Sequence, residues 1–453
     1  MLDFYKTNRP PMIKSLIVIT IIFTLTGIQE SLAAIEKEFA IVNAVIIDGN
    51  GLPPLEGGSI VIKGNKISAI GNNITIPVGS EIIDAGGKVV MPGLADMHVH
   101  LTWGGEGHDI LGYQRRLNAL LYSGVTTVLD TGGVLPFVKQ MRQAIEAGKI
   151  VGPHIYYVGP LVDSVDPQWP AVSLSMASEH QAQDISKYLK DNGVDAIKAY
   201  AKLNRPQIVA LVAQGKKLGL PVIVDAWFAN GGEHLITSGL SAFAHTPRRV
   251  TDQTLKIMKN RGVQIISTRA VGGIVKQVSL RGTAFLDSDL IKSTTPSWVL
   301  EKTRKEASRA LSDRNYVNEN FSEQFHKKLQ QNVKRIFDAG IPLVAGTDND
   351  GLFIGEELHF ELELLVDAGL TPLQAITTAT KNAAKLMNDE DIWGTLEVGK
   401  RADMILVEGR PDKNISDTRN IKLVIQNGRV IDREALIFDL ETDTGIRDTE
   451  FEY

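Results

Sequence analysis

The chain has 453 residues, of which 43% are hydrophobic and 22% are charged, with 41 glycines and 18 prolines. This balance is typical of a globular protein and excludes collagen, long coiled coils and disordered chains. The formal net charge is −5, so there is no basic surplus to neutralise phosphates, and we expect no nucleic-acid partner. The absence of cysteine excludes disulfides, thiolate metal sites and cysteine nucleophiles. Any bound metal must therefore be held by histidine, carboxylate or modified lysine side chains.

The first residues have the pattern of an export signal. Three basic residues precede an apolar run over 16–25, and small residues follow at 31–34. This order is typical of a cleaved signal peptide, which we place at residues 1–33. Met12 is an alternative start, and an uncleaved membrane anchor is the alternative to cleavage, although a spanning helix needs ~20 apolar residues. The sequence thus predicts an exported protein, periplasmic or secreted, with no membrane association after signal removal.

The two ends of the mature chain predict β structure. Residues 35–90 alternate with period two and predict a small antiparallel unit. Its turns are predicted at glycine dipeptides, namely Asp48-Gly49, Gly64-Asn65 and Gly86-Gly87. Short strand patterns return near the C-terminus, at 394–398, 403–407 and 423–426, before a hairpin turn at Asn427-Gly428. We expect segments 35–90 and 390–438 to form one composite β-sandwich domain, followed by an acidic tail over 439–453.

Residues 91–389 alternate between strand and helix patterns. Eight candidate strands lie at 94–97, 126–130, 155–158, 196–199, 222–224, 242–244, 264–267 and 342–345. Helical patterns lie between them at 114–122, 137–147, 182–191, 207–218, 252–261 and 325–339. This alternation predicts an α/β fold, a (β/α)8 TIM barrel that carries the small discontinuous β-sandwich domain. A doubly wound open sheet is the competing topology. The polar stretch 272–320 predicts a loop that acts as a lid over the active face, or a solvated insertion without function.

Candidate metal ligands follow the predicted strand ends, where the active sites of such barrels lie. His98 and His100 follow the first strand, and residues i and i+2 point to the same side, so both imidazoles reach one ion. The fourth, fifth, sixth and eighth strands end with Lys198, Asp225, His245 and Asp348. A buried neutral Lys198 can add CO₂ to become a carbamate that bridges two ions. Its alternative role is a salt bridge to a neighbouring carboxylate.

With these motifs the chain resembles the metal-dependent amidohydrolase superfamily, and in particular its imidazolonepropionase-like and Xaa-Pro dipeptidase-like branches. The resemblance covers nearly all of the mature chain and rests on segments 93–100, 195–198, 345–348, 379–384 and 394–403. It implies two divalent metal ions, with zinc as the first choice. It further implies that His98, His100 and Asp348 hold the first ion, that Lys198 bridges both as a carbamate, and that His245 binds the second.

The fifth strand departs from the family pattern, which has a histidine where this chain has Asp225. The downstream spacing is kept, since His245 follows twenty residues later. Asp225 either ligates the second ion directly, or acts through a water, or leaves the second position empty so that one ion binds. With two divalent ions, a carbamate, Asp348 and a hydroxide, an ionised Asp225 makes the cluster neutral, and we therefore favour direct or water-mediated ligation over an empty position. An extra oxygen ligand makes manganese or iron alternatives to zinc.

The predicted activity follows from this cluster. A bound metal lowers the pKa of water toward ~7, and Asp348 is the predicted catalytic residue that takes the proton and delivers it to the leaving nitrogen. We predict an exported hydrolase that cleaves an amide, cyclic amide or dipeptide bond of a small-molecule substrate. A mononuclear deaminase- or lactonase-type hydrolase and a non-catalytic binding protein on a degenerate barrel are the alternatives.

Aromatic residues near the ligand positions are candidates for the substrate pocket. Trp103, Tyr200 and Trp227 each follow a predicted ligand by two or three residues, and ordinary core packing is their alternative role. No organic cofactor site is expected, because the glycines at 351 and 355 do not form a phosphate-binding loop. The sequence leaves homo-oligomerisation open.

Overall fold

The structure is a computed structural model that describes residues 38–104, 107–108, 112–226, 233–348 and 353–437. At positions 103, 104, 107, 108 and 234 it describes the backbone alone. The predicted signal peptide and the predicted acidic tail lie outside the described residues. No helix within the described ranges combines the length and the apolar character that crossing a membrane requires.

The described chain contains twenty strands and fourteen α-helices. The strands are β1 Glu38–Ile46, β2 Leu55–Lys63, β3 Lys66–Gly71, β4 Glu81–Asp84, β5 Val89–Pro92, β6 Leu94–Val99, β7 Trp103–Gly104, β8 Gly107–His108, β9 Val125–Asp130, β10 His154–Tyr157, β11 Leu161–Asp163, β12 Ser173–Ser175, β13 Ile197–Ala199, β14 Val222–Asp225, β15 Ala242–Ala244, β16 Gln264–Ile266, β17 Leu343–Val344, β18 Met404–Val407, β19 Ile421–Gln426 and β20 Arg429–Val430. The helices are α1 Tyr113–Tyr122, α2 Leu135–Glu146, α3 Ala182–Asp191, α4 Arg205–Leu218, α5 Glu233–Ile236, α6 Asp252–Arg261, α7 Ile274–Arg281, α8 Asp289–Thr294, α9 Ser297–Ser312, α10 Arg314–Asn320, α11 Glu323–Asp338, α12 Glu356–Asp367, α13 Pro372–Thr378 and α14 Lys381–Leu386.

Strands from both ends of the chain form one eight-stranded sheet, in the order β20-β19-β18-β5-β1-β2-β3, with β4 also paired to β1. The predicted antiparallel arrangement is wrong in part, because β1 pairs antiparallel with β2 but parallel with β4 and β5. Asn43, at φ 55°, divides β1 so that its first half pairs with β4 and its second half with β5. Alternation with period two does not encode strand direction, which is why the sequence could not predict this.

The strands predicted near the C-terminus are confirmed only in part. Strands β18 and β19 lie at the predicted places, whereas 394–398 is not a strand. Gly394 and Gly399 have φ of 95° and 89° and turn the chain at both ends of that segment, so it makes isolated hydrogen bonds, such as Leu396 N to Asp48 O at 2.8 Å. The predicted hairpin turn between β19 and β20 is confirmed, because Asn427 and Gly428 have φ of 50° and 70°, as a type I′ turn requires.

Gly428, in the turn between β19 and β20, packs closely against the turn between β2 and β3. A Cβ added at Gly428 would lie 2.0 Å from the Gly64 carbonyl oxygen and 2.9 Å from Asn65 Cα. Gly428→Ala is therefore expected to lower the free energy of unfolding by more than the ~1–2 kcal/mol of a left-handed alanine. Gly219, which ends α4 at φ 67° with nothing within 4 Å of an added Cβ, is the control. Urea unfolding measures both changes, and equal losses for Gly428→Ala and Gly219→Ala would contradict the role of packing.

All eight predicted barrel strands are present, as β6, β9, β10 and β13–β17, and their pairings are parallel. Their order follows the chain, as in a barrel and unlike a doubly wound sheet. The strands belong to two sheets, β10-β9-β6 and β12-β11-β13-β14-β15-β16-β17. Backbone hydrogen bonds from Asp195 to Tyr157 (2.9 Å) and from Met97 to Ala345 (3.1 Å) link the sheets at both sides. The α/β fold is thus barrel-like with an added β domain, and closure into one continuous sheet stays a prediction.

The segment 272–320 is helical rather than a loop. It contains α7–α10, and buried residues of these helices, such as Ile274, Val278 and Ala307, pack with Phe353 in a hydrophobic cluster of their own. Other charged residues, such as Glu301 and Lys305, lie on the solvent side of these helices, which gave the sequence its polar appearance. The role of this segment as a lid stays a prediction.

Candidate metal centre

Side chains from the first and eighth barrel strands meet at the carboxyl ends of the strands. His98 lies in β6, His100 follows it, and Asp348 follows β17. The Oδ1 atom of Asp348 lies 3.2 Å from Nε2 of His98 and 3.2 Å from Nε2 of His100. One donor atom from each residue lies within 4.8 Å of the others, so this group could hold a metal ion. The fold brings these three predicted ligands together.

The other predicted ligands lie beside this group. Lys198 is in β13, Asp225 ends β14 and His245 follows β15. Nε2 of His245 is 3.1 Å from Oδ2 of Asp225, and Nδ1 of His245 is 3.8 Å from Oδ2 of Asp348. The rings of His98 and His245 are 4.9 Å apart between centroids. The Asp225–His245 pair therefore adjoins the first group and forms a second position next to it.

The Lys198 amine is buried, and its surroundings bear on whether it can bind a metal. Its residue is 1% exposed, and Nζ has no hydrogen-bond partner among the described residues. The salt bridge that was the alternative role of Lys198 is not formed within this part of the chain. Burying an amine without a hydrogen bond costs free energy of folding. The position of Lys198 therefore suits a modified side chain or a bound ligand.

The spacing of the donor atoms fits a metal. In a tetrahedral zinc site with bonds of about 2.0–2.1 Å, neighbouring donor atoms lie about 3.4 Å apart. The three close pairs in this site, His98–Asp348, His100–Asp348 and Asp225–His245, lie at 3.2, 3.2 and 3.1 Å. These distances are close to that spacing, so the donor pairs are compatible with metal ligation.

Hydrogen bonds to the loop after β6 orient the His100 side chain. Nδ1 of His100 lies 3.0 Å from the Gly132 carbonyl oxygen, so Nδ1–H donates there and Nε2 keeps its lone pair toward the site. The Arg116 guanidinium donates to the His100 carbonyl oxygen at 3.1 Å. Asp130, at the end of β9, accepts a hydrogen bond from the Leu101 amide at 2.8 Å. These contacts fix the imidazole before any ligand binds.

Asp96 joins the two strands that carry the first group, and the sequence prediction did not include it. Its carboxylate accepts hydrogen bonds from the Thr347 hydroxyl (2.7 Å), the Thr347 amide (3.0 Å) and the His98 amide (3.2 Å). The Asp348 amide in turn donates to the His98 carbonyl oxygen at 2.8 Å. A Cβ at Gly346 would lie 2.8 Å from His98 Cβ, so only glycine allows this approach. The sequence feature that could have identified Asp96 is its position two residues before His98.

Burial and neighbouring charges set the protonation states. Burial, with the nearby Lys198, lowers the pKa of His98 to about 3. Burial opposes ionisation of Asp348, but His98, His100 and His245 hold its pKa well below the usual value. Burial also lowers the pKa of Lys198. A neutral imidazole and an ionised carboxylate are the states that metal binding requires, and the lowered pKa of Lys198 favours the uncharged amine that carbamate formation requires.

One of the three predicted pocket residues is described with its side chain. The Tyr200 ring is half-buried, with its centroid 5.8 Å from Lys198 Nζ, and its hydroxyl accepts a hydrogen bond from Trp169 Nε1 at 3.2 Å. Burial raises the pKa of Tyr200, so it stays a neutral phenol. The Trp103 side chain and Trp227 lie outside what the structure describes. Trp169, at the rim, was missed because it lies in a loop far from any predicted ligand in sequence.

The fold and the histidines and carboxylates at its strand ends are those of a barrel hydrolase. The chain belongs to the amidohydrolase family, whose model matches residues 89–431. Among known proteins, the imidazolonepropionase of Alkaliphilus metalliredigens (strain QYMF) is 25% identical over 410 residues, which cover 83% of this chain and 92% of that protein.

Solved structures support the same fold. An Xaa-Pro dipeptidase with bound methionine has a TM-score of 0.68 and 22% identity, and the match covers 87% of this chain and 99% of that one. Molinate hydrolase has a TM-score of 0.70 and 21% identity, covering 88% of this chain and 96% of that one. The predicted family is therefore confirmed, and the protein is an enzyme that hydrolyses carbon–nitrogen bonds.

Proposed function

We propose that the protein is a metal-dependent hydrolase that cleaves an amide, cyclic amide or dipeptide bond of a small-molecule substrate. The observation that carries this proposal is the group of His98, His100 and Asp348 beside the buried Lys198 amine, which has no hydrogen-bond partner in the part of the chain that the structure describes. Both features fit a metal, since three donors face one another and a buried polar atom is unsatisfied. Bound divalent ions, zinc in the first place, would activate a water molecule and polarise the substrate carbonyl.

Each residue of the site has a proposed task. Two ions would be held by His98, His100 and Asp348, by Asp225 and His245, and between these groups by Lys198 as a carbamate. Carbamate formation needs an uncharged amine, which the burial of Lys198 favours. The ionised Asp348 carboxylate can accept a proton at Oδ and pass it to the leaving nitrogen. Tyr200 and Trp169 would form one wall for the substrate.

A substrate screen tests this function. The purified protein, stripped with a chelator and then reloaded with zinc or manganese, would be offered dipeptides, N-acyl amino acids, hydantoins and lactones. The proposal expects hydrolysis of at least one substrate with a carbon–nitrogen bond, present only after reloading and absent in His98→Ala. Turnover that survives metal removal, or turnover of lactones alone, would contradict it.

The second position gives a prediction for Asp225. If Asp225 ligates the second ion, Asp225→Ala should weaken retention of that ion by at least ~10-fold, because even outer partners of ligands contribute about 10–100-fold. Asp225→His should retain it. Elemental analysis after dialysis against increasing chelator measures this, with Asp195→Asn as the control, because Asp195 lies before β13 and pairs with Arg142 at 2.8 Å. Unchanged metal content in Asp225→Ala would show that Asp225 is no ligand.

A mononuclear hydrolase is the second candidate, and one observation favours it. Within the described ranges, His98, His100 and Asp348 are the only group of three or more such side chains close enough to share an ion. A mononuclear enzyme would retain one ion per chain, with no carbamate on Lys198. Two ions per chain would favour the binuclear form.

We also propose that the protein is exported, on the basis of its N-terminal sequence pattern. N-terminal sequencing of the protein from its own cells should find a chain that begins at Ala34. A chain that begins at Met1 or Met12 would contradict cleavage.

A further inference from the structure

Three residues around the site have an unusual backbone. Among the described residues, seven other than glycine have positive φ, and four of them are asparagines, which tolerate this conformation. The remaining three are His245 at φ 69°, Thr268 at φ 44° and Asp348 at φ 54°. They follow β15, β16 and β17, three neighbouring strands. A β-branched residue such as threonine is a true outlier in this region, and such conformations concentrate at functional sites.

Thr268 is held in this conformation by its neighbours. It is 0% exposed, and it follows Ser267, whose amide donates to the Val344 carbonyl oxygen at 2.9 Å. Glu361, also fully buried, accepts hydrogen bonds from the Ser267 hydroxyl and from the Ala270 amide. The chain before and after Thr268 is therefore fixed, and its hydroxyl has a set position.

The hydroxyl of Thr268 contacts one of the proposed ligands. Oγ1 lies 2.8 Å from Nδ1 of His245, while Nε2 of the same ring lies 3.1 Å from Oδ2 of Asp225. We propose that Thr268 is a positioning residue that orients the His245 ring and selects its tautomer for the second ion, an inference that rests on the proposed function. Strand β16, the seventh of the eight barrel strands, supplies no proposed ligand and thus contributes to the site through His245.

A hydroxyl suits this position because it both donates and accepts. A neutral His245 with its proton on Nε2 faces Oδ2 of Asp225 and can accept at Nδ1 from the Thr268 hydroxyl. With an ion at Nε2, the neutral ring must carry its proton on Nδ1, which then donates to Oγ1. The ring has one proton in both tautomers, so no charge changes. Valine has the same shape as threonine, but its side chain can neither donate a hydrogen bond to His245 nor accept one from it.

Three variants test the inference. Thr268→Val is expected to weaken retention of the second ion about 10–100-fold and leave the first ion bound, whereas Thr268→Ser should stay within about threefold of the native protein. Thr378→Val removes another buried hydroxyl, which donates only to the Ala375 carbonyl oxygen at 2.6 Å, and should leave both ions bound. Metal per chain after dialysis against graded chelator, and the visible spectrum of the cobalt-loaded proteins, are the readouts.

Two outcomes would overturn the inference. The first is a folded Thr268→Val that retains the second ion with a native cobalt spectrum. The second is a native protein that binds one ion only, a result that leaves a mononuclear hydrolase intact. If Thr268→Val does not fold, a long-range proton–nitrogen correlation spectrum of the zinc-loaded native protein decides. A proton on Nδ1 of His245 that is hydrogen-bonded and slow to exchange with solvent supports the role of Thr268, and a freely exchanging Nδ1 proton or a proton on Nε2 refutes it.

Discussion

Asp348→Asn is expected to lower kcat/KM by about 10³-fold and to leave the protein folded. The variant loses the proposed proton acceptor, and general acid–base catalysis contributes about 10²–10⁴-fold. It also loses the negative charge that faces His98, His100 and His245. Asparagine adopts positive φ readily, so the backbone at φ 54° can be kept. Steady-state kinetics and thermal unfolding measure the two effects.

A second carboxylate variant separates catalysis from stability. Asp403 is buried in the β domain, where it pairs with Arg401 and accepts a hydrogen bond from the Asn427 amide at 2.6 Å. These contacts, against the opposing effect of burial, hold its pKa at about 2. Asp403→Asn should therefore unfold at a lower temperature and keep its kcat/KM. Full activity in Asp348→Asn, or an equal loss of activity in Asp403→Asn, would contradict the assigned role of Asp348.

Lys198→Met is expected to change activity and stability in opposite directions. Loss of the proposed bridging group should lower kcat/KM at least ~100-fold, because loss of a ligand exceeds the loss of an outer partner. The free energy of unfolding of the metal-free protein should rise by ~1–3 kcal/mol, because the substitution removes a buried amine that has no hydrogen-bond partner among the described residues. Urea unfolding of the metal-free proteins and kinetics of the reloaded ones measure these changes.

The control and the pH dependence make this prediction specific. The Lys276 amine is also buried but donates to the carbonyl oxygens of Arg269 and Val271, so Lys276→Met should lose stability. Because burial lowers the pKa of Lys198 below the usual 10.5, the folded metal-free chain binds fewer protons than the unfolded chain between the two pKa values. Its stability therefore rises with pH in that window, and the Lys198→Met variant should lack this rise. A stability loss in Lys198→Met would contradict the account.

Much of the fold was predictable, because short apolar runs for buried parallel strands alternate along the sequence with the 3.6-residue apolar spacing of amphipathic helices. All eight barrel strands and the hairpin at Asn427-Gly428 follow from such local signals. The direction of β4 and β5 beside β1 was not predictable, because alternating apolar residues read the same in either direction. The helices of 272–320 were missed because charge hides their apolar spacing.

For the site, strand-end placement predicted which side chains meet, as His98, His100 and Asp348 do. Contacts that depend on loop backbone were not predictable. A threonine after a strand, such as Thr268, is unremarkable until its positive φ brings the hydroxyl to His245. Asp96 reaches Thr347 across 251 residues of sequence, and only the pairing of strand ends brings them together. Whether Lys198 lacks a salt bridge also depends on distances that sequence does not contain.

The most direct test of the central idea is a crystal of the protein grown with zinc and bicarbonate, with diffraction data collected above and below the zinc absorption edge. The account predicts an anomalous peak between His98, His100 and Asp348, a second peak beside Asp225 and His245, and carbamate density on Lys198 between them. Anomalous maps with no peak at these side chains, in a protein that hydrolyses its substrate, would contradict it.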